Sequence, residues 1–290
     1  LKDDSHFPST PAAPTVHSTN KVLDFDGVDD YVATASNISE LNITGDITIQ
    51  SWVNISSFPN DWARFIGKGY DGARTYGLWI DPSGQLLWQV YGGGSFSLFA
   101  NTGLSTGTWY HIIATKSGNT ATIYVNGVAA GTTTFSGTAS SSTDPLTFGK
   151  SNVHTRYPGL LDEVAIWDKG LSAAEITTLY NSGGGLDASS NSGNYNSANN
   201  LVGYWKMDES SGTSLTDSSS NSNTATMSNM SDADWVASGE STSASESVDV
   251  ALHNLDDDTD ITVAVSSSDT GEASVGPATL TFTETNWNTP

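Results

Sequence analysis

Asp26, Asp29 and Asp30 place three carboxylates within five residues, with Gly27 allowing a tight turn among them. Like charges held this close repel one another unless a cation offsets them, and hard divalent ions favour oxygen ligands of this kind. The segment reads as a candidate metal loop, with solvated turn aspartates as the plainer alternative. Asp256, Asp257, Asp258 and Asp260 admit the same two readings, and there a solvated charge run is favoured.

Two further loop groups carry residues suited to holding a sugar. One contains Asp61-Trp62-Ala63-Arg64 and Gly69-Tyr70-Asp71-Gly72-Ala73-Arg74; the other joins the Tyr91 loop, which runs to Gly94, with His154-Thr155-Arg156-Tyr157. Aromatic faces cover the apolar side of a pyranose, and a few polar groups read its hydroxyls. The candidate ligand contacts are Trp62, Arg64, Tyr70, Asp71, Arg74, Tyr91, His154, Arg156 and Tyr157. All three arginines of the chain fall in these groups. They read either as contacts to a carboxylate or sulfate on the ligand, or as local ion pairs with Asp61 and Asp71. Trp52, Trp79, Trp88, Trp109 and Trp167 lie inside strand-like runs and read as core or sheet-face residues.

Catalytic patterns are missing. The chain has no Gly-x-Ser-x-Gly, no His-Glu-x-x-His and no phosphate-binding glycine loop. Asp162 and Glu163 are adjacent carboxylates, but neighbours in a regular strand point to opposite faces and cannot work as a facing acid and nucleophile.

The whole composition narrows the partners. The chain has 290 residues, 32 acidic against 10 basic side chains, a formal net charge of -22 and no cysteine. It lacks the lysines and arginines needed to displace counterions from a phosphate backbone, and anionic lipid would repel it. Disulfides, Cys-based zinc sites and thiol chemistry are excluded. No apolar run reaches the roughly 20 residues of a membrane span, and residues 1–4 form neither a basic leader nor a signal core. With 36% hydrophobic and 10% aromatic residues a sizeable core is available. Only 14% are charged, and abundant Gly, Ser, Thr and Asn mark a turn-rich β protein of the secreted type.

The elements that must position these groups are short strands. Segments 22–25, 30–33, 47–53, 64–68, 76–80, 86–90, 97–100, 109–116, 120–125, 132–135, 146–149 and 161–167 alternate and are bounded by turn residues, which predicts an antiparallel sandwich or barrel. Asn126-Gly127 is a hairpin turn. One helix is expected over 171–180, where Ser172 and Glu175 have capping-box spacing and Ile176, Leu179 and Tyr180 form a packing face. Residues 1–19 read as a lead-in arm. From Ser182 onward the chain holds 16 acids and one base, Lys206. A strand-like run at 201–207 follows a polar loop, and weaker β runs at 247–252, 261–265 and 279–283 are too few to close a sheet.

The ordered motifs Leu23-Asp24-Phe25-Asp26-Gly27-Val28-Asp29-Asp30-Tyr31-Val32, Ile47-Thr48-Ile49-Gln50-Ser51-Trp52-Val53, Gly107-Thr108-Trp109-Tyr110-His111-Ile112, Ile123-Tyr124-Val125-Asn126-Gly127 and Gly159-Leu160-Leu161-Asp162-Glu163-Val164-Ala165-Ile166-Trp167, with the helix after them, resemble laminin-G-like modules of the concanavalin A-like lectin/glucanase superfamily. The resemblance implies an all-β, antiparallel jelly-roll sandwich with one short helix. It also implies calcium at the Asp26, Asp29, Asp30 loop, with Asp162 facing it and Asp217 arriving on the 201–236 segment. That segment is similar to the strand and loop that open such modules, so it either completes the same sandwich or begins another; the first is favoured because Trp205 needs burial. Residues 263–290 resemble the front of Ig-like or calx-β-like repeats of bacterial surface proteins. The expected organisation is an arm at 1–19, a sandwich at 20–236, and a linker with an incomplete repeat at 237–290. Glucanases of the superfamily alternate carboxylates along one strand, a pattern this chain lacks.

The resulting expectation is a non-catalytic carbohydrate-binding or adhesion module of a secreted or cell-surface bacterial protein, monomeric within a larger chain and binding a glycan or a cell-surface protein. A spacer without ligand, and an accessory module of a polysaccharide-degrading enzyme, are the alternatives.

Overall fold

The computed structural model describes residues 21–70, 73–92, 95–100, 102–152 and 154–238, and two strands at 261–264 and 279–282. The arm at 1–19, Asp71, the aspartates at 256–260 and most of 239–290 lie outside the described residues.

In chain order the strands are β1 (Lys21–Asp26), β2 (Tyr31–Thr34), β3 (Ile47–Ile55), β4 (Ala63–Lys68), β5 (Tyr76–Ile80), β6 (Leu86–Val90), β7 (Phe96–Ala100), β8 (Trp109–Ser117), β9 (Thr120–Val125), β10 (Val128–Thr134), β11 (Leu146–Phe148) and β12 (Pro158–Trp167). After the helix α1 (Ala173–Tyr180) come β13 (Leu201–Trp205), β14 (Ser214–Leu215), β15 (Ala225–Ser228) and β16 (Trp235–Ala237). One sheet runs β10-β9-β8-β3-β12-β1-β16, with β13 also on β12; the other runs β14-β15-β2-β11-β4-β5-β6-β7. The strand pairs of both sheets are antiparallel. The described residues of 21–238 therefore form an all-β jelly-roll sandwich with one short α-helix.

Alternation builds the core between the sheets. In β3 Ile47, Ile49, Val53 and Ile55 enter the main core, while Trp52 joins a separate cluster with Val22, Trp109 and Tyr180. In β6 Leu86, Trp88 and Val90 do the same, and in β7 Phe96, Leu98 and Ala100 are buried while Ser97 and Phe99 face solvent. This period of two decides which side chains the second sheet shows outward.

A third layer covers the outer face of the first sheet. Ser172 and Glu175 cap α1 reciprocally, and Ile176, Leu179 and Tyr180 are buried against the strands. The polar stretch after the helix also packs there. Ala188 and Tyr195 are buried beside Trp167 and Tyr204, and the Tyr195 hydroxyl accepts from Trp167 Nε1 at 2.9 Å and donates to the Ala188 carbonyl at 2.7 Å.

Residues 201–237 add strands to both sheets. β13 pairs with β12, β15 with β2 and β16 with β1. Trp205 is fully buried, edge-on to Phe148 at 5.2 Å. By backbone contacts the chain divides into two compact units, residues 1–240 and 241–290. In the second, β17 (Ile261–Ala264) and β18 (Thr279–Phe282) form an antiparallel pair.

Candidate functional site

Three neighbouring strands of the second sheet set a row of side chains on its outer face. The register pairs Trp79 with Leu87 and Leu87 with Phe99, and Gln89 lies two residues along β6 from Leu87. Over this row stand Trp62, Arg74, Tyr91 and His154, enclosing a cleft of about 290 Å³. Phe99 is 50% exposed, unusual for so large an apolar side chain, and meets Trp62 at 6.0 Å between ring centres.

The polar groups of the cleft are held in place. The Arg74 guanidinium stacks between Trp79 at 5.1 Å and Tyr91 at 5.0 Å, and donates to Gln89 Oε1. Gln89 Nε2 donates in turn to Ser97 Oγ at 3.1 Å. His154 stands edge-on to Trp79 at 5.4 Å, with Nδ1 2.7 Å from Asp61 Oδ2. Its partnership with His154 holds the Asp61 carboxyl below the usual range. Thr155 ties the two loops together, its hydroxyl reaching the Asp61 and Trp62 carbonyls at 3.1 and 3.2 Å. Among the described residues no carboxylate lines the cleft. Its described lining can stack a ring and exchange hydrogen bonds with hydroxyls.

Four of the residues singled out in the sequence, Trp62, Arg74, Tyr91 and His154, thus converge from separate loops. Others do not. Arg64 is buried beneath Trp79, donating to the carbonyls of Lys150 and Gly69 at 2.8 Å each and to Thr147 Oγ1 at 3.0 Å. Gly67 makes room for it, since a Cβ there would lie 2.6 Å from Arg64 Cδ. Tyr157 is a core residue between Phe25 and Phe65, its hydroxyl donating to main-chain carbonyls. Arg156 turns to Tyr31 and the Ser151 carbonyl, and Tyr70 sits outside the cleft lining. Trp79, Leu87, Gln89 and Phe99 were hidden in strand-like runs; the strict alternation of β7 was the signal that Phe99 points outward.

The carboxylate oxygens of Asp26, Asp29 and Asp30 lie within 4.8 Å of one another, a spacing that fits a hard cation. Asp26 Oδ1 accepts the amide of Val28 at 2.7 Å and Asp30 Oδ2 that of Asp26 at 3.0 Å, so the loop is already shaped. Gly27 is at φ +75°, with Pro158 Cβ 2.7 Å from where its own Cβ would be. Burial, with the charges of Asp26, Asp234 and Asp29, pushes the Asp30 carboxyl up to about 6. A calcium held by Asp26, Asp29 and Asp30 would offset most of the repulsion among them.

Asp162 and Asp217 do not join that loop. Asp217 spends both oxygens on the turn around it, accepting the amides of Tyr204 and Ser219 at 2.8 Å each, that of Asn223 at 2.7 Å and the Ser219 hydroxyl at 2.9 Å. Asp162 is buried in β12, where its charged neighbours are Glu163, Asp208 and Glu209. A register shift follows Asp162 and puts Glu163 at φ +53°, so the regular alternation expected for this pair fails. Burial first raises both carboxyls well above their ordinary range; the charge of Glu163 adds to it at Asp162, and that of Asp208 at Glu163.

Two antiparallel sheets, a capped helix and an aromatic cleft on one sheet face define a concanavalin A-like sandwich. Residues 26–177 match the Laminin_G_3 model of the concanavalin A-like lectin/glucanases superfamily, and the chain belongs to this family. Among solved structures it is similar to a candidate carbohydrate-binding protein from Bacteroides ovatus at 18% identity, with a TM-score of 0.54. That match covers 77% of this chain and 59% of the other, so the chain spans under two thirds of that relative. Domain 4 of the extracellular arabinanase AbnA from Geobacillus stearothermophilus, in complex with arabinotriose, is 15% identical at a TM-score of 0.46, covering 54% of this chain and 75% of that one. The mouse laminin α1 chain, domains LG4-5, is 16% identical at 0.44, covering 53% and 44%. At these identities the likeness is one of fold. No curated protein matches the chain. Among the described residues no helix is long and apolar enough to cross a membrane.

Proposed function

We propose that this chain is a non-catalytic carbohydrate-binding module that works outside the cell as one part of a larger protein. The observation that carries this reading is the cleft itself: a half-exposed Phe99 on its floor and a part-buried Trp62 over it, with Arg74, Gln89 and His154 fixed around them. A pyranose stacks its apolar face on the aromatic pair and gives its hydroxyls to the polar groups. Arg74 favours a sugar bearing a carboxylate or sulfate, and the partner is a free glycan or a glycan on a cell-surface protein. Calcium at Asp26, Asp29 and Asp30 fastens the already shaped loop after β1 and takes no part in chemistry.

A glycan array, run in calcium and again in chelator, tests the reading. Binding that Phe99→Ala and Trp62→Ala abolish supports it; silence toward both neutral and anionic glycans rejects it and leaves the spacer role.

A further inference from the structure

A second groove lies on the other face of the sandwich from the aromatic cleft. On the outer side of the first sheet, β8 and β9 change character along their length. Beneath α1 they are apolar: Ile113 is buried in the cluster of Trp167 and Leu171, and Tyr124, its register partner, packs against that cluster. Beyond the helix the same face shows hydroxyls, with Thr115 opposite Thr122 and Ser117 opposite Thr120. These side chains and the segment entering α1 enclose a groove of about 440 Å³, within the ordinary range of small-molecule sites.

Its walls are fixed. Gly170 lies hard against β8, where a Cβ would stand 2.6 Å from Ser117 Cβ and 2.8 Å from the Lys116 carbonyl. Thr48 Oγ1 donates to the Lys169 carbonyl at 2.7 Å and accepts the Leu171 amide at 2.9 Å, pinning this segment to β3. Thr115 and Thr122 are only 5% and 8% exposed, although they are polar residues on an outer sheet face, so a ligand reaching them enters a depression. Charge in the groove cancels, since Lys169 stands 3.4 Å from Glu175 and Ser197 Oγ bonds to both. An ionic ligand therefore meets no net charge there. Hydroxyl side chains both donate and accept, which matches a polyol. The part-buried Tyr124 adds an aromatic wall.

We propose that this groove binds a neutral saccharide, with Thr115, Thr120 and Thr122 exchanging hydrogen bonds with its hydroxyls and Tyr124 covering its apolar face. Together with the cleft on the second sheet, the module then holds two sugars back to back and ties two glycan chains together. The bridging rests on the cleft being a glycan site; binding in the groove does not.

The test uses the full chain, isotope-labelled for NMR and titrated at millimolar concentration with methyl glycosides of glucose, galactose and mannose and with cellobiose, maltose and lactose. At least one of these sugars should shift the amides of residues 115–124 and 169–173. The same shifts are expected in Phe99→Ala, so the result stands or falls apart from the cleft. Thr120→Val and Thr122→Val keep the shape and strand preference of the side chain and remove its hydroxyl. Each should weaken this binding about tenfold. If Thr122→Val fails to fold, Thr120→Val carries the comparison, because its side chain is exposed. The absence of shifts at these residues with every sugar would overturn the proposal. So would wild-type affinity in the valine variants, or shifts confined to cleft residues and lost in Phe99→Ala.

Discussion

Phe99 and Arg64 show how exposure assigns roles that residue type cannot. Arg64 carries the charge expected of a ligand contact but is buried among carbonyls. Phe99 has no polar atom, yet it is the half-exposed floor of the cleft. Phe99→Ala should weaken glycan binding at least about tenfold, or about 1.4 kcal/mol, with little change in melting temperature, as measured by calorimetry and thermal unfolding. His111 is a second case. It lies buried against Trp52 and Tyr180 at 5.0 and 5.9 Å, rings that also stack on each other, with neither ring nitrogen partnered. Burial lowers its pKa from 6.5 to about 3, so the folded chain holds it neutral. Its contribution is complete above the ordinary histidine value and is lost as pH falls from 6.5 toward 3, at about 1.4 kcal/mol per pH unit. His111→Phe should remove that slope in denaturant titrations at stepped pH.

At the scale of elements, the sequence pattern was most informative where side chains alternate or cap. The helix was legible from Ser172 and Glu175, and both capping hydrogen bonds are present. Burial acts to raise the Glu175 carboxyl, but hydrogen bonds from Ser197 and Ser172 prevail and hold it near 2. Its stabilisation is therefore full above the ordinary glutamate value of 4.5 and is lost as pH falls toward 2. Ser172→Ala should cost about 1 kcal/mol at neutral pH in chemical denaturation, with a smaller cost below pH 3. The turn at Asn126 and Gly127, with φ 50° and 76°, was equally readable. The shift in β12 was not, because a bulge leaves the residue types of a strand unchanged and alters only their register. The stretch after the helix was hidden for a similar reason. Its many Ser, Gly and Asn residues read as solvated loop, while two side chains, Ala188 and Tyr195, are what pin it to the sheet.

For the whole molecule, a family and an all-β sandwich were legible because ordered motifs and strand spacing persist along the chain. The cleft was legible only in its loop half, since its floor depends on which face each strand turns outward. The formal charge of -22 is a global property with a global consequence. Self-repulsion opposes the compact state and salt screens it. Raising ionic strength from about 20 mM to about 0.5 M in chelator should therefore raise the melting temperature, and a flat response would show that local pairing dominates.

The pairing of β1 with β16 sets Lys21 opposite Ala237 and Leu23 opposite Trp235. The backbone thus leaves the sandwich beside the point where it comes in, running the opposite way. When tension is applied at these two points, the hydrogen bonds between the strands are loaded one after another, beginning at Lys21 and Ala237, rather than all together. Under pull this seam opens as a zipper, and the first strand released is β16, with Trp235 and its bond from Nε1 to the Gly212 carbonyl as the latch.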